Sequence, residues 1–138
     1  MTTLFADPFY WIALADFADS AHQRALALTA ERASSRIITT DEVLTEYLTF
    51  FSTAPEPLRR EAAESVVGIL ASSVIRVIPQ SRGSFLAGLQ LYRARPDKGY
   101  SLVDCISMQA MRKEGLTEVL SVRKPSCSKC RSFVFRDS

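Results

Sequence analysis

Residues 4–14 read Leu4-Phe5-Ala6-Asp7-Pro8-Phe9-Tyr10-Trp11-Ile12-Ala13-Leu14, a short apolar run joined directly to a helix-forming segment. The run Leu4–Ala6, closed by Asp7 and Pro8, predicts a buried strand with a sharp exit. Because proline suits the first position of a helix, we expect a helix from Pro8 through Ala15. The chain therefore begins with a strand that passes at once into a helix.

The rest of the chain repeats this alternation. Further strands are predicted at Ile37–Thr39, Val74–Ile78 and Leu116–Leu120. Three further helices are predicted: from Ser20 to Ala33 after an Asp19 cap, from a capping box of Thr39 and Glu42 through Phe51, and from Pro57 to Ser72. Two more are predicted around Phe85–Tyr92 and from a Ser101 cap through Glu114, where Gly115 is the left-handed end. Short strands alternating with helices of about three turns predict an α/β fold with a parallel sheet.

Composition favours a soluble globular domain. The chain has 138 residues, of which 47% are hydrophobic and 23% charged, and this excludes a disordered chain. No apolar stretch approaches the roughly 20 residues that span a bilayer, so we expect no membrane association. Three cysteines without a framework spacing favour a reducing compartment, and we expect a cytoplasmic protein.

Charge is divided unevenly along the chain. Residues 1–120 hold 12 Lys and Arg against 14 Asp and Glu, a net charge of −2, whereas residues 121–138 hold five against one, a net charge of +4. The larger part of the chain therefore offers no general basic surface for nucleic acid. Any nucleic-acid chemistry must come from a local site.

Three carboxylates are candidates for that site. Asp7 follows the first strand, Glu46 lies one turn into the helix after the second, and Asp104 lies in the first turn of the helix near Ser101. Ligands of α/β folds bind at the carboxyl ends of the strands, where these residues are expected. Carboxylates close together resist ionisation unless a cation neutralises them, and oxygen ligands without histidine favour Mg²⁺ or Mn²⁺. Such a site can polarise a phosphodiester and activate water.

Each carboxylate also has a purely structural interpretation. Asp7 before a proline is typical of a turn, and Glu46 is compatible with a solvated helix face that Asp41 and Glu42 already make acidic. Asp104 completes a capping box with Ser101. Spacing alone leaves both interpretations open.

Three blocks resemble the conserved blocks of PIN-domain proteins. Residues 4–14 resemble the opening strand, aspartate and helix of that family. Thr39-Thr40-Asp41-Glu42-Val43-Leu44-Thr45-Glu46 resembles its second block, and Asp97-Lys98-Gly99-Tyr100-Ser101-Leu102-Val103-Asp104-Cys105-Ile106-Ser107 resembles its third and most specific block. The order and spacing of the blocks match the family across residues 4–120.

The resemblance implies a three-layer α/β/α domain over residues 1–120, with a short parallel central sheet flanked by helices, followed by an atypical tail at 121–138. It implies a metal-dependent ribonuclease, most often the VapC-type toxin of a bacterial toxin–antitoxin pair. By this analogy Asp7, Glu46 and Asp104 are catalytic and hold Mg²⁺ or Mn²⁺, while Asp97 and Ser101 support the site or contact the RNA substrate. Such proteins are usually homodimers silenced by a small antitoxin.

The tail departs from the family pattern. Related chains usually carry a further aspartate after the last predicted strand, near where this chain has Arg123. A frameshifted or diverged C-terminus is our hypothesis, which sequencing of the downstream DNA would test. The alternative function is a catalytically weakened PIN-fold protein that only binds an antitoxin or RNA. The pair Cys127 and Cys130 has too few partners for structural zinc, and a disordered tail is the prediction there.

Several other residues have structural interpretations. His22 is expected on the surface, and Cys105 is expected to pack as a small apolar residue. Tyr10 and Trp11, with Phe9, are expected to pack in the core rather than to stack on RNA bases. The helix that holds Phe50 and Phe51 has more apolar surface than one stripe requires, which leaves a buried face or a protein contact open.

Overall fold

The computed structural model describes residues 2–122, which form six helices around one four-stranded sheet. The strands are β1 (Thr3–Ala6), β2 (Arg36–Thr40), β3 (Ile75–Ile78) and β4 (Val119–Leu120). The helices are α1 (Pro8–Ala15), α2 (His22–Glu31), α3 (Asp41–Phe50), α4 (Glu56–Ala71), α5 (Arg82–Ala94) and α6 (Leu102–Glu114). The expected α/β class is confirmed.

All strand pairs are parallel, in the order β3-β2-β1-β4. The chain moves outward from β1 to β3 and then crosses back through α5 and α6 to β4. Because crossovers between parallel strands are right-handed, the two directions place helices on opposite faces of the sheet. The result is the expected three-layer arrangement, with α1 to α4 on one face and α5 and α6 on the other.

The core packs helices against the sheet, with most of its buried residues on the strands, α1 and α3, and with Met111 contributed by α6. Phe5 on β1 and Tyr10 on α1 are almost completely buried, as are Val43 and Tyr47 on α3. Ile75 and Val77 of β3 pack against this core from the sheet. Burial of apolar surface of this kind is the main favourable term in folding.

Local signals set the helix ends where side chains can cap the backbone. Pro8 opens α1 and the helix ends at Ala15, as expected. Ser101 caps α6, and Gly115 ends it with φ +68°, in the left-handed region that glycine adopts without strain. These boundaries confirm the sequence-based predictions.

Two cap predictions were wrong. Helix α2 begins at His22 rather than Ser20, because the Asp19 carboxylate accepts a hydrogen bond from the Ala21 N–H and forms a turn instead. Helix α3 is capped by Thr40, whose hydroxyl accepts from the Val43 N–H at 3.1 Å. Thr39 was expected in that role, but its side chain points into the core.

The prediction that His22 lies on the surface was also wrong. The ring is buried, its Nδ1 lies 2.6 Å from the Ala13 carbonyl oxygen, and Phe17 packs edge-on against it at 5.0 Å. Cys105 is buried with a free thiol, as expected.

Aromatic residues divide between core and surface. Tyr10 and Trp11 are buried as predicted, whereas Phe9 is 44% exposed. On α3, Phe51 is buried while Phe50 is 53% exposed, so the excess apolar surface of this helix faces outward in part.

The proposed boundary at residue 120 stays a prediction, and Arg123, Cys127 and Cys130 lie outside the described residues. Within residues 2–122, no helix is long and apolar enough to cross a bilayer.

Candidate acidic site

Asp7 stands at the junction between β1 and α1. Its Oδ1 accepts a hydrogen bond from the Tyr10 N–H at 2.9 Å and thereby caps α1. Its own N–H donates to the Leu120 carbonyl oxygen at 3.3 Å, which ties it to the end of β4. The residue is completely buried. Asp7 is therefore a buried acidic residue fixed at the carboxyl ends of β1 and β4.

Asp104 reaches the same edge from a helix. The Asp104 N–H donates to Ser101 Oγ, and the Ser101 N–H donates to Asp104 Oδ2, both at 3.0 Å. Helix α6 ends at Gly115, a short loop before the start of β4, so its first turn lies at the opposite, carboxyl edge of the sheet. Asp104 is 3% exposed. The structure thus supplies a second buried carboxylate on the edge that holds Asp7.

Glu46 is the sixth residue of α3 and is half-buried. The two acids at the start of this helix bond to the segment after β3: Asp41 Oδ2 accepts from the Gln80 N–H at 2.8 Å, and Glu42 Oε2 accepts from Ser84 Oγ at 3.4 Å. Glu46 lies a turn farther along, on the helix that leaves the carboxyl end of β2. Its place in the acidic site and its role both stay predictions.

Asp97 lies apart from these acids in an exposed loop. The Arg95 guanidinium donates to both of its carboxylate oxygens, at 3.2 and 3.3 Å. This hydrogen bonding is the main cause that holds the pKa of Asp97 below its usual range. Of the two supporting residues predicted from the sequence, Ser101 contacts Asp104, and Asp97 forms an ion pair with its loop neighbour.

Thr39 is a supporting residue that the sequence analysis missed. Its buried hydroxyl donates to the Ala6 carbonyl oxygen at 3.0 Å, and Trp11 Nε1 donates to the same hydroxyl at 3.4 Å. These bonds connect β2 both to Ala6, the last residue of β1 directly before Asp7, and to α1. The signal in the sequence is the pair of threonines at the end of a strand, although the capping-box pattern there assigns Thr39 to a helix cap instead.

Ser107 is a second buried polar residue close to Asp104 that the sequence analysis did not single out. Its hydroxyl is buried and has no hydrogen-bond partner in the described part of the chain. It lies one turn after Asp104, on the same side of α6 as the buried Met111. The three-residue spacing from Asp104 was the available signal.

The positive ends of three helix dipoles face this edge. Helices α1, α3 and α6 all begin there, capped by Asp7, Thr40 and Ser101. A helix N-terminus favours negative charge within its first turn. The three helix starts therefore direct partial positive charge at this edge.

The donor chemistry fits Mg²⁺ or Mn²⁺. Asp7 and Asp104 offer hard oxygen ligands, and Mg²⁺ is commonly held by one or two carboxylates together with water and substrate phosphate. Within residues 2–122, no three His, Cys, Asp or Glu side chains lie close enough together to hold a metal ion. Asp7 and Asp104 are the buried carboxylates of residues 2–122 whose oxygen donors suit such an ion.

Comparison with known proteins bears on the fold. No family model matches the chain, and no curated protein matches it. Among solved structures the chain is similar to VapC20 of Mycobacterium tuberculosis, described as a toxin that cleaves the sarcin–ricin loop. The TM-score is 0.80 at 24% identity, over 95% of this chain and 96% of that one. Similarity at this identity establishes the architecture.

Proposed function

We propose that this chain, which has the PIN-like α/β fold of the VapC20 toxin ribonuclease, is itself a Mg²⁺- or Mn²⁺-dependent endoribonuclease. The observation that carries the proposal is the pair of buried carboxylates, Asp7 and Asp104, fixed by capping bonds at one edge of the sheet. Burial of ionised carboxylates costs free energy unless compensating groups surround them. A divalent cation bound between the carboxylates would supply such compensation.

Asp7 and Asp104 would hold the cation. Glu46, the third ligand expected from the sequence, does not form a three-carboxylate cluster with them within residues 2–122. When bound, a divalent cation would neutralise phosphate charge and lower the pKa of a bound water that serves as the nucleophile. The contribution of the chain is orientation, because the Tyr10 N–H and Ser101 N–H each engage one carboxylate oxygen and limit rotation of the two side chains. This preorganisation reduces the entropy lost when a phosphodiester is positioned for hydrolysis.

We further propose that the chain is the toxin of a type II toxin–antitoxin pair, acting in the cytoplasm on RNA as a homodimer. VapC20 is described as a toxin, and residues 2–122 contain no membrane-spanning helix. Apolar side chains for protein contacts are present on the surface: Phe50 of α3, and Leu86 and Tyr92 of α5, are about half exposed. Such a surface suits a second copy or an antitoxin.

A second candidate function is a catalytically weakened PIN-fold protein that only binds an antitoxin or RNA. The observation that favours it is Arg123, a cation near the position where related chains carry an acid. A cation there would weaken binding of a second metal ion by charge repulsion.

The deciding experiment is cleavage of a mixed RNA substrate by the purified full chain with Mn²⁺ or Mg²⁺, and again with EDTA. Asp7→Asn and Asp104→Asn keep the side-chain shape and a capping oxygen while removing the charge. Glu64→Gln, at an exposed acid on α4, is the matched control. We expect metal-dependent cleavage by the native chain and the control, and loss of cleavage in both Asn variants.

Thermal unfolding with increasing Mn²⁺ separates the two candidate functions. Binding to the folded state at about 100 times Kd stabilises it by roughly 2.7 kcal/mol, and this shift should vanish in Asp104→Asn. A folded native chain that shows neither cleavage of several RNAs nor a Mn²⁺ shift would overturn the nuclease and favour the binding protein.

A further inference from the structure

Strand β3 forms one edge of the sheet. Within residues 2–122 it pairs only with β2, in parallel register with Ile37 opposite Ile75. The Ile37 N–H donates to the Val74 carbonyl oxygen at 3.0 Å. In a parallel ladder the polar groups of alternate residues point to the same side. The N–H and C=O groups of Ile75 and Val77 therefore point outward, away from β2.

A cleft of about 590 Å³ lies against the same strand. Arg76 and Ile78 of β3 form part of its lining, and Ala87 of α5 with Ile106 and Ala110 of α6 supply further apolar surface. The lining includes none of Asp7, Glu46 and Asp104, so the cleft is distinct from the acidic site. A strand edge beside a groove walled by helices matches the geometry by which extended peptides are bound through strand addition.

The two faces of β3 differ in chemistry. Arg76, on the cleft face, is exposed and donates to both carboxylate oxygens of Glu114 at 2.9 and 3.1 Å. Lys113 also lines the cleft, so its charged groups are two cations and one carboxylate. Ile75 and Val77, on the other face, pack against the hydrophobic core. A strand added outside β3 would thus meet a face of net positive charge, with Lys113 as the cation beyond the Arg76–Glu114 pair, and apolar side chains on the other face.

We propose that the outer edge of β3 and this cleft bind an extended segment of a partner protein that alternates apolar and acidic side chains. Its backbone pairs with the outward groups of Ile75 and Val77, which requires a polypeptide rather than a small molecule or a nucleic acid. Its apolar side chains lie beside Ile75 and Val77, and its acidic side chains lie on the Arg76 and Lys113 face, because neighbouring strands pair residues on the same face. The proposal is independent of nuclease activity.

Amide hydrogen exchange on the ¹⁵N-labelled full chain tests the pairing directly. The probe is an acetylated octapeptide of alternating valine and glutamate, and the matched control peptide alternates valine and lysine. The amides of Ile75 and Val77 should slow by about tenfold or more with the glutamate peptide, as expected for new hydrogen bonds. Those of Arg76 and Ile78, which point toward β2, should be slow already. The lysine peptide should have no effect.

Two variants test the same surface by different physics. Val77→Pro removes an outward N–H, which an edge strand tolerates, and should weaken binding of the glutamate peptide by about tenfold. Arg76→Glu reverses the charge on the cleft face without altering the backbone, and should exchange the preference so that the lysine peptide binds better. The second variant tests the proposal even where the first fails to fold.

Three results would overturn the proposal. The first is unchanged exchange at Ile75 and Val77 with saturating glutamate peptide. The second is protection that rises with protein concentration without peptide, which would assign the edge to a second copy of the chain. The third is protection of these amides without peptide at every protein concentration, which would show that another part of the chain covers the edge of β3.

Discussion

The reciprocal hydrogen bonds of Ser101 and Asp104 agree with both interpretations of Asp104, as part of a helix cap and as a proposed metal ligand. The reciprocal bonds satisfy two N–H groups at the start of α6, as a capping box does. They also hold the Asp104 carboxylate in one orientation at the sheet edge. The structural interpretation of Asp104 is therefore confirmed, and it supports the proposed catalytic role rather than competing with it.

Ser101→Ala should separate the two effects. Loss of the cap should lower the free energy of unfolding by about 1 kcal/mol. Ser81→Ala is the matched control, because Ser81 forms the equivalent box at the start of α5, away from Asp7 and Asp104. Both variants should lose similar stability in urea unfolding, whereas only Ser101→Ala should weaken Mn²⁺ binding. Equal Mn²⁺ affinity in the two variants would limit Ser101 to helix capping.

Helices α5 and α6 depend on one glycine for their close packing. A Cβ atom built on Gly88 would lie 3.2 Å from the Ile106 backbone nitrogen and 3.3 Å from its Cα, and would overlap the Ile106 side chain. Backbone atoms of a helix cannot move aside locally, so the contact requires a residue without a side chain. Asp104 lies two residues before Ile106, and its position therefore depends on this packing.

Gly88→Ala should lower the free energy of unfolding by about 1–3 kcal/mol through overpacking. Gly68→Ala is the matched control, since Gly68 lies inside α4 with no atom within 4 Å of the added Cβ. The same change there should raise stability by about 0.5–1 kcal/mol through helix propensity. Urea unfolding of both variants measures the difference, and a stabilised Gly88→Ala would contradict the packing described here.

Buried weak acids give the whole molecule a defined response to alkaline pH. Desolvation raises the pKa of Cys105, with a further contribution from the charge of Asp104. Desolvation also raises the pKa of Tyr10 and of Tyr47. In the unfolded chain these groups ionise near 8.5 for cysteine and about 10 for tyrosine. The folded state therefore retains protons that the unfolded state has released.

The free energy of unfolding should keep its full value below about pH 8.5 and decrease as the pH rises above it. The reason is that the folded state, whose pKa values are raised, holds protons that the unfolded state releases. Each group contributes a slope of up to about 1.4 kcal/mol per pH unit. Cys105 ionises first in the unfolded chain, so Cys105→Ala should flatten the profile between about pH 8.5 and 10. Urea unfolding under reducing conditions from pH 7 to 10.5 measures this. Identical profiles for the native chain and the variant would exclude Cys105 as the cause.

Features that arise within one turn of backbone follow from the amino-acid sequence alone. The start of α1 at Pro8 and the left-handed end of α6 at Gly115 follow from the covalent geometry of proline and glycine, so they needed no tertiary information. Alternation of strands and helices also determined the α/β class, because hydrophobic periodicity reflects which face an element buries.

Which side chains become partners across the chain depends on how the elements pack in three dimensions. Thr39 was assigned to a cap, yet it bonds to Ala6 and Trp11, and His22 is buried against Ala13 despite its polar character. The strand order, the exposed edge of β3 and the shared edge of Asp7 and Asp104 likewise depend on how the elements pack. Local preferences amount to about 1 kcal/mol or less per residue, and long-range burial and hydrogen bonding outweigh them.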